Sequence, residues 1–376
     1  MKILHIAPFN TAGVPLTFVQ AERSLGYYSR LVTLARHPYN FPEDICLELP
    51  LLNFYGTNLI KKVVSPKQRL QVGHLHRVPE QIPIQWHPKG AAERLLIRLR
   101  EKIWQSRIRQ FMMQSNFWQF DVYQLDGGLE FYRDGRTVKK LKDLGKKIIC
   151  CYTGSDLRVR GVIPEIDAAA DLNVTVEFDH IYFHPRIHHV FFPFDLEHFV
   201  YSKQSHSGKL RIGHAPTQRQ AKGSDVIIAV LKKIQQKYPI EIILIEKLSY
   251  HQALQLKSTC DIFIDQIGDL GYGINSLEAL AMRIPTCSSL VRGFADKYPD
   301  HPFVEINADN LESQIIYLIE NENYRRRMGE IGREWLRKYH DAVKVVQHIH
   351  RLARIPSKTG SGKGSNTPQQ HTQTQT

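Results

Sequence analysis

Short apolar runs alternate with amphipathic stretches along most of this 376-residue chain. Runs such as KKIICCY at 146–152 and IEIILI at 240–245 lack the strict alternation of a strand that faces water on one side. Helical patterns of about 10–15 residues separate these runs. Continuous apolar strands separated by helices are typical of parallel sheets that are covered on both faces. The alternation therefore predicts an α/β fold with right-handed crossover connections.

The length of the chain and one polar segment predict two domains. A domain usually holds about 150 residues. FFPFD at 191–195 has the pattern of a last strand and turn, and the segment 198–209 that follows is polar and contains Gly and Ser. We therefore place a first domain at 1–195 and a second domain, with terminal helices, at 196–355. The tail at 356–376 is predicted to be disordered, because it has no large apolar residue to offset its ordering entropy.

Composition narrows the class of protein. Hydrophobic residues make up 42% of the chain and charged residues 23%, which excludes wholesale disorder. No uncharged apolar run approaches the ~18 residues of a membrane span. The N-terminus has the pattern of a strand rather than of a signal peptide. Of the five cysteines, Cys150, Cys151 and Cys260 lie in or beside apolar runs, so we expect buried thiols in a reducing cytoplasm.

A net charge of +13 points to anionic partners, namely nucleic acid, anionic lipid or phosphorylated substrates. The segment 91–113 concentrates this charge on a predicted helix, where Leu96, Leu99, Ile103 and Trp104 have helical spacing and six basic residues occupy the remaining positions. One interpretation is a surface helix that packs its apolar side on the first domain, which we favour. The alternative is a helix that docks on anionic lipid.

Two turns that follow predicted strands are suited to binding an anion. NTAGVP at 10–15 precedes a helix, and Gly13 allows close approach of the main chain to a ligand. HAPTQRQAKGSD at 214–225 places Arg219 and Lys222 before a second helix. Ligands bind at the carboxyl edge of doubly wound sheets. A diphosphate matches the fork of an arginine and the point charge of a lysine.

The segment 265–285 is the most informative part of the chain. A Gly-rich loop with Gly268, Gly271 and Gly273 follows a predicted strand and leads into a helix. Glycines allow main-chain N–H groups to approach phosphate oxygens closely. Glu278 lies about one turn into this helix within an apolar run, so we expect it to be enclosed and partnered. A carboxylate at this position can accept two hydrogen bonds from a ribose diol.

This segment resembles the donor site of glycosyltransferase family 4, whose members have the GT-B fold. LGYGINSLEALAMRIP at 270–285 is similar to the family pattern EGFGLVxLEAMAxGxPVV. Glu278 matches the second Glu, Leu270 replaces the first, and Arg283 replaces the Gly after the MA pair. Four further segments resemble the family in the same order along the chain: AGVP at 12–15, YTGSDLR at 152–158, FFPFDLEHF at 191–199 and the helix at 325–340.

The resemblance implies two Rossmann-like doubly wound domains that face each other across a cleft. It also implies retaining transfer of a sugar from a UDP- or GDP-sugar to a glycan or lipid-linked acceptor, with no further cofactor and no essential metal. Glu278 would hold the ribose, and Gly13 would let its loop approach the phosphates. Arg219 stands in for the family's arginine, which falls at Thr217 here. The implied diphosphate ligands are the N–H groups of Tyr272, Gly273, Ile274 and Asn275, with Arg219 and Lys222.

Asp156 and Glu278 are the candidate catalytic residues. Asp156 lies in the loop after the strand at 146–152, on the acceptor side, although a cap or turn role is at least as common for an Asp in TGSD. Glu177 and Asp179 form a second acidic pair. The chain contains no Asp-x-Asp sequence, and we interpret its scattered histidines as non-ligands, so no metal is expected.

Three functional hypotheses follow. The first is a cytoplasmic glycosyltransferase of bacterial surface polysaccharide or glycolipid biosynthesis that docks peripherally on the inner membrane. The second is a GT-B protein that binds a nucleotide sugar without catalysis, which the loss of the first Glu at Leu270 suggests. The third is a nucleic-acid-binding protein, which the net charge suggests but which lacks a groove-reading motif; we expect no nucleic-acid partner.

Overall fold

The computed structural model describes residues 1–52, 82–154, 156–199, 208–268 and 270–357. These residues form two parallel sheets with connecting helices. The α/β class with two parallel-sheet domains, predicted from the alternating pattern, is therefore confirmed. The predicted tail lies outside the described residues from 358 onward.

Seven parallel strands form the sheet of the first domain. They are β1 (Lys2–Ala7), β2 (Tyr28–Thr33), β3 (Ile45–Cys46), β4 (Val122–Asp126), β5 (Lys147–Tyr152), β6 (Leu172–Thr175) and β7 (Ile187–His189). Their spatial order is β3-β2-β1-β4-β5-β6-β7, and every described pairing is parallel. The winding reverses between β1 and β4, and such a switch point is where doubly wound sheets bind ligands.

The central strands are buried on both faces, as continuous apolar runs predict. In β5 every residue after Lys147 is buried. Cys150 and Cys151 lie within this strand, and Cys260 and Cys287 are buried in the second domain. The prediction of buried thiols is thus confirmed, and all five cysteines are free.

The helices of the first domain are α1 (Val14–Ser24), α2 (Ala91–Gln114), α3 (Arg136–Asp143) and α4 (Pro164–Ala169). Helix α2 carries two apolar stripes rather than one. Trp104, Ile108 and Phe111 are spaced by four and three residues and are buried against the domain.

The other stripe of α2 faces away from the domain. Leu95, Leu96, Leu99 and Ile103 are between 47% and 58% exposed among the described residues. Of the four apolar residues that the sequence grouped together, only Trp104 is therefore on the packing side. Sequence spacing alone cannot distinguish two stripes on one long helix.

Five parallel strands form the second sheet, in the order β12-β11-β10-β8-β9. The strands are β8 (Leu210–His214), β9 (Ile240–Leu244), β10 (Ile262–Gln266), β11 (Thr286–Ser288) and β12 (Val304–Glu305). The helices are α5 (Arg219–Lys222), α6 (Ser224–Gln235), α7 (Tyr250–Lys257), α8 (Ile274–Ala281), α9 (Phe294–Lys297), α10 (Leu311–Glu320), α11 (Glu322–Tyr339) and α12 (Ala342–Leu352). The switch point of this sheet lies between β8 and β10.

The last helix, α12, returns to the first domain and packs on α1. The Tyr27 hydroxyl donates to the main-chain O of Pro356 at 2.7 Å, and Glu22 bonds to His350 at 3.0 Å. The end of the chain therefore links the two domains.

Candidate functional site

The carboxyl ends of the two sheets face each other across a cleft, and two contacts join the domains at its rims. The ring of Phe41, which follows β2, lies 5.3 Å from the ring of Tyr250, which follows β9. At the other rim the Tyr182 hydroxyl donates to the main-chain O of Arg292 at 3.2 Å. A cavity of about 390 Å³ lies beside this second contact, at the ends of β10, β11 and β12. Both switch points lie between the rims, where the topology places a ligand.

The Gly-rich loop leads from β10 into α8. Gly271 has a φ of 71°, a left-handed conformation that favours glycine, and α8 begins at Ile274. Among the described residues, no acceptor pairs with the N–H groups of Ile274 and Asn275. Free N–H groups at a helix start attract anions. Of the other two predicted donors, the N–H of Tyr272 likewise has no acceptor among the described residues, whereas the N–H of Gly273 is already paired.

A buried carboxylate that the sequence analysis missed lies at the same place. Asp265, in β10, is 1% exposed, and its Oδ2 accepts the Gly273 N–H at 3.3 Å and the Ser276 hydroxyl at 2.6 Å. Its Oδ1 forms an ion pair with Nζ of Lys222. Burial would raise the pKa of Asp265, but the Lys222 ammonium and the Ser276 hydroxyl hold it below its usual value. The sequence signal that could have revealed Asp265 is an acidic residue at the end of an apolar strand.

The two predicted cations lie differently. Lys222 is held at the site by its ion pair with Asp265, and its side chain is 14% exposed. Arg219 instead forms two hydrogen bonds with Glu246, at 2.7 and 2.6 Å, and its side chain is 49% exposed. The structure therefore brings Lys222, but not the guanidinium of Arg219, to the start of α8.

Glu278 is enclosed. It is 4% exposed, and its Oε2 forms an ion pair with Nζ of Lys257, which is 1% exposed. Lys257 also lies 2.7 Å from Oδ1 of Asn275. The sequence analysis missed Lys257, because a lysine within a helix pattern is normally solvated. The ribose role of Glu278 stays a prediction.

Tyr272 contributes its main chain alone to the cleft. Its ring is buried and stacks on Phe303 at 4.6 Å, and its hydroxyl lies 3.3 Å from Nε2 of His340. Trp335 also packs on the ring, at 5.8 Å. This aromatic cluster anchors the Gly-rich loop to the helices at the end of the chain.

Gly13 lies in the first-domain turn at the start of α1. Its φ is 75°, and within the described part of the chain no neighbouring atom lies within 4 Å of a Cβ placed there. Asn10 shapes the turn, because its side chain accepts the Leu16 N–H at 3.2 Å and donates to the main-chain O of Pro42 at 2.6 Å. The turn therefore keeps open space at Gly13, as close approach of a ligand requires.

Asp156 shapes its own loop. Its Oδ2 accepts the Thr153 N–H at 3.0 Å, and its Oδ1 lies 3.7 Å from the Arg160 guanidinium. Burial raises the pKa of Asp156, against the opposing charge of Arg160. A Cβ placed on Gly127 would lie 3.1 Å from its carboxylate. These contacts agree with the interpretation of Asp156 as a cap or turn residue. Its catalytic role stays a prediction.

Asp126 is a second carboxylate that the sequence analysis missed. It ends β4 at the switch point of the first sheet and is 5% exposed. Burial raises its pKa to about 6, although the nearby His5 lowers it. Its Oδ2 lies 3.9 Å from Nδ1 of His5, and neither atom has a hydrogen-bond partner among the described residues. Groups with such perturbed pKa values concentrate at functional sites.

One buried arginine pairs with both members of the acidic pair, Glu177 and Asp179. Arg158 donates to Oε2 of Glu177 at 2.8 Å and to Oδ2 of Asp179 at 2.7 Å. The pair therefore holds the loop with the sequence YTGSDLR. Within the described ranges, no group of three or more His, Cys, Asp or Glu side chains could hold a metal ion.

One part of the sequence matches a known family. Residues 214–335 match the family model described as glycosyl transferases group 1. This segment contains Lys222, Asp265, Lys257 and Glu278, so the matched part includes the site at α8. A search of curated protein sequences found no significant match.

Solved structures are similar to the chain over nearly its whole length. A sucrose-phosphate synthase from Thermosynechococcus elongatus has a TM-score of 0.60 at 12% identity, covering 94% of this chain and 98% of that one. Anabaena HepE, solved in complex with UDP-glucose, has a TM-score of 0.55 at 12% identity, covering 94% and 99%. WaaG, a glycosyltransferase involved in lipopolysaccharide biosynthesis, has a TM-score of 0.53 at 10% identity, covering 94% and 99%. The fold of this chain is therefore the GT-B fold.

Proposed function

We propose that this chain is a glycosyltransferase that moves a sugar from a UDP- or GDP-sugar to a glycan or lipid-linked acceptor. The observation that carries the proposal is the start of α8. There, free N–H groups, Lys222 and the enclosed carboxylate of Glu278 meet inside the segment that matches the group 1 family model. HepE, which shares the GT-B fold, was solved with UDP-glucose, and this supports a nucleotide-sugar donor.

The donor binds mainly to the second domain. Its diphosphate accepts hydrogen bonds from the N–H groups of Ile274 and Asn275 and pairs with Lys222. Asp265 competes with the phosphates for Lys222, so binding redistributes that ammonium from a carboxylate to a phosphate oxygen. Glu278 holds the ribose.

Catalysis rests on stabilising the leaving group. Glycosyl transfer has an oxocarbenium-like transition state, and negative charge develops on the departing diphosphate. N–H groups and a cation that are already aimed at that charge lower the barrier. The resemblance to the family implies that the transfer retains the anomeric configuration and needs no metal, and we include both in the proposal.

The acceptor binds to the first domain. The open turn at Gly13 and the carboxyl ends of β4 and β5 surround this half of the cleft. Asp126 ends β4 and Asp156 follows β5, and each can accept a hydrogen bond from an acceptor hydroxyl.

The exposed stripe of α2, formed by Leu95, Leu96, Leu99 and Ile103, docks the enzyme on an anionic membrane surface. Exposed basic residues, Arg94 among them, flank this stripe. Apolar side chains beside basic ones suit the boundary between acyl chains and anionic headgroups. Among the described residues no helix is long and apolar enough to cross a bilayer. The proposed setting is the cytoplasmic face of the inner membrane, in polysaccharide or glycolipid biosynthesis.

The alternative is a nucleotide-sugar-binding protein without transferase activity. The family's first Glu is Leu270 here, and this residue lies in a narrow crevice beside Val176, Phe178 and Phe192. Besides these apolar side chains, Glu177 lines the crevice, and its carboxylate is already paired with Arg158.

A donor screen tests the proposal. UDP-, GDP- and ADP-sugars are added to the protein, and the unfolding temperature is measured. We expect one nucleotide class to raise it, and transfer or hydrolysis of the same donor to follow. Stabilisation without turnover over a broad acceptor panel supports the alternative. No stabilisation by any nucleotide sugar contradicts both.

A further inference from the structure

Two residues of α7 reach the carboxylate of Glu278. Tyr250 and Lys257 are seven residues apart, which is about two helical turns, so they share one face of α7. Lys257 forms an ion pair with Oε2 of Glu278, and the Tyr250 hydroxyl is hydrogen-bonded to the same residue. A capping box between Ser249 and Gln252 fixes the first turn of α7.

Lys257 also holds the first turn of α8. Its Nζ lies 2.7 Å from Oδ1 and 3.4 Å from the main-chain O of Asn275. Together with Glu278, these atoms give the ammonium as many acceptors as it has donors. Burying an ammonium costs free energy unless it is paired, so this environment is built around the charge. Lys257 therefore ties the carboxylate for the ribose to the N–H groups for the diphosphate.

We propose that Lys257 is a positioning residue that turns Glu278 so that Oε1 accepts the hydroxyls of the donor ribose. This inference rests on the proposed function and adds to it a residue outside the Gly-rich loop. The family pattern contains Glu278, whereas only the tertiary contact assigns a role to Lys257.

Lys257 holds the side chain of Glu278 in place. The groups that face Glu278 in the described residues are Lys257 and Tyr250 from α7, and Asp265 in β10 interacts with the same ammonium. Without the ammonium, the buried Oε2 loses its charged partner, and the side chain is no longer fixed in the orientation that the ribose requires. Recognition of the ribose hydroxyls therefore depends on Lys257.

The test compares paired ligands. The affinities of UDP and GDP, each with its 2′,3′-dideoxy analogue, are measured by calorimetry at neutral pH. The ratio within a pair isolates the contribution of the ribose hydroxyls. For the wild type we expect a ratio of about tenfold. For Lys257→Met we expect a ratio near one.

Three further variants make the test specific. Lys257→Arg keeps the charge and should keep most of the ratio. Lys233→Met, which removes an exposed lysine 2.7 Å from Glu312, should leave the ratio unchanged. The double variant Lys257→Met with Glu278→Gln removes both charges, so it avoids the unpaired buried carboxylate of the single variant, and it should also show a ratio near one.

Equal losses of affinity for both members of a pair in Lys257→Met would show that Lys257 is merely structural. A ratio retained in the double variant would also overturn the inference. A wild type that binds neither UDP nor GDP would instead contradict the proposed function.

Discussion

Oε1 of Glu22 in α1 lies 3.0 Å from Nε2 of His350 in α12, although 328 residues separate the two in the chain. Oε2 of the same carboxylate lies 2.9 Å from Nε2 of His5 in β1. Burial would raise the pKa of Glu22, but the two histidines lower it to about 2. The last helix is therefore fixed to the first strand by an ionised group in the core.

Replacing Glu22 by Gln should lower the free energy of unfolding by about 3 kcal/mol at neutral pH, because a buried ion pair loses one partner. The pKa of Glu22 is about 2 in the folded state against 4.5 ordinarily. Its contribution is therefore complete above pH 4.5 and is lost as pH falls toward 2. Urea unfolding over a pH series measures this. A difference in unfolding free energy from the wild type that stays constant down to the lowest pH would contradict this prediction. The control is Glu312→Gln, in an exposed pair with Lys233, which should lower the free energy of unfolding by under about 1 kcal/mol at every pH.

The two predicted phosphate cations should differ in effect. Lys222→Met should weaken UDP or GDP binding about tenfold or more, because a charge-assisted hydrogen bond is lost, and should leave binding of the nucleoside unchanged. Arg219→Met should weaken it less than about threefold, because Glu246 already occupies that exposed guanidinium. Calorimetry with nucleotide and nucleoside gives both values. Equal losses for the two variants would show that Arg219 turns into the site on binding.

Helix α11 packs on α8 and, through Gly329, on the turn that follows α8. A Cβ added at Gly329 would overlap the main-chain O of Arg283, which cannot move as a flexible side chain would. Gly329→Ala should therefore destabilise the protein by about 1–3 kcal/mol. Differential scanning calorimetry measures this, with the exposed Arg327→Ala on the same helix as the control. An unchanged unfolding temperature for Gly329→Ala would mean that α8 and α11 are less closely packed.

Membrane docking through the exposed stripe of α2 should be independent of catalysis. Changing Leu95, Leu99 and Ile103 to Ser should abolish sedimentation with vesicles that contain anionic lipid, because the inserted apolar surface is lost. Turnover with a water-soluble acceptor should be unaffected. Met113→Ser, at an exposed site on the same helix, is the control. Vesicle binding that survives the triple change would place the membrane contact elsewhere.

Asp126→Asn should stabilise the protein at alkaline pH. Burial raises the pKa of Asp126 from 3.8 to about 6. The folded state therefore pays no free energy for this group below pH 3.8, where the carboxyl is protonated. It is destabilised as pH rises through 6, where the buried carboxyl ionises. The amide should therefore gain up to about 3 kcal/mol near pH 8 and nothing near pH 3. Thermal unfolding at both pH values checks this, with the exposed Asp143→Asn as the control. A loss of transfer activity in the more stable variant would connect Asp126 to the acceptor.

The parallel sheets, the Gly-rich loop and the enclosure of Glu278 could be predicted from the sequence, because each depends on a local pattern. Apolar runs report strands that are covered on both faces, and a carboxylate within an apolar helix run reports burial. The same reasoning could not decide which apolar stripe of α2 packs, since Leu99 and Trp104 both fit helical spacing.

By itself the sequence determined the α/β class, the order of the elements and the position of the Gly-rich loop, because periodicity and glycine placement act over a few residues. Only the tertiary structure decided the ion pairs: Lys257 with Glu278, Asp265 with Lys222, and Glu246 with Arg219. A charge pairs with whichever opposite charge folding brings within a few ångströms of it. These partners are 21 to 43 residues apart in the chain, so no local pattern announces them.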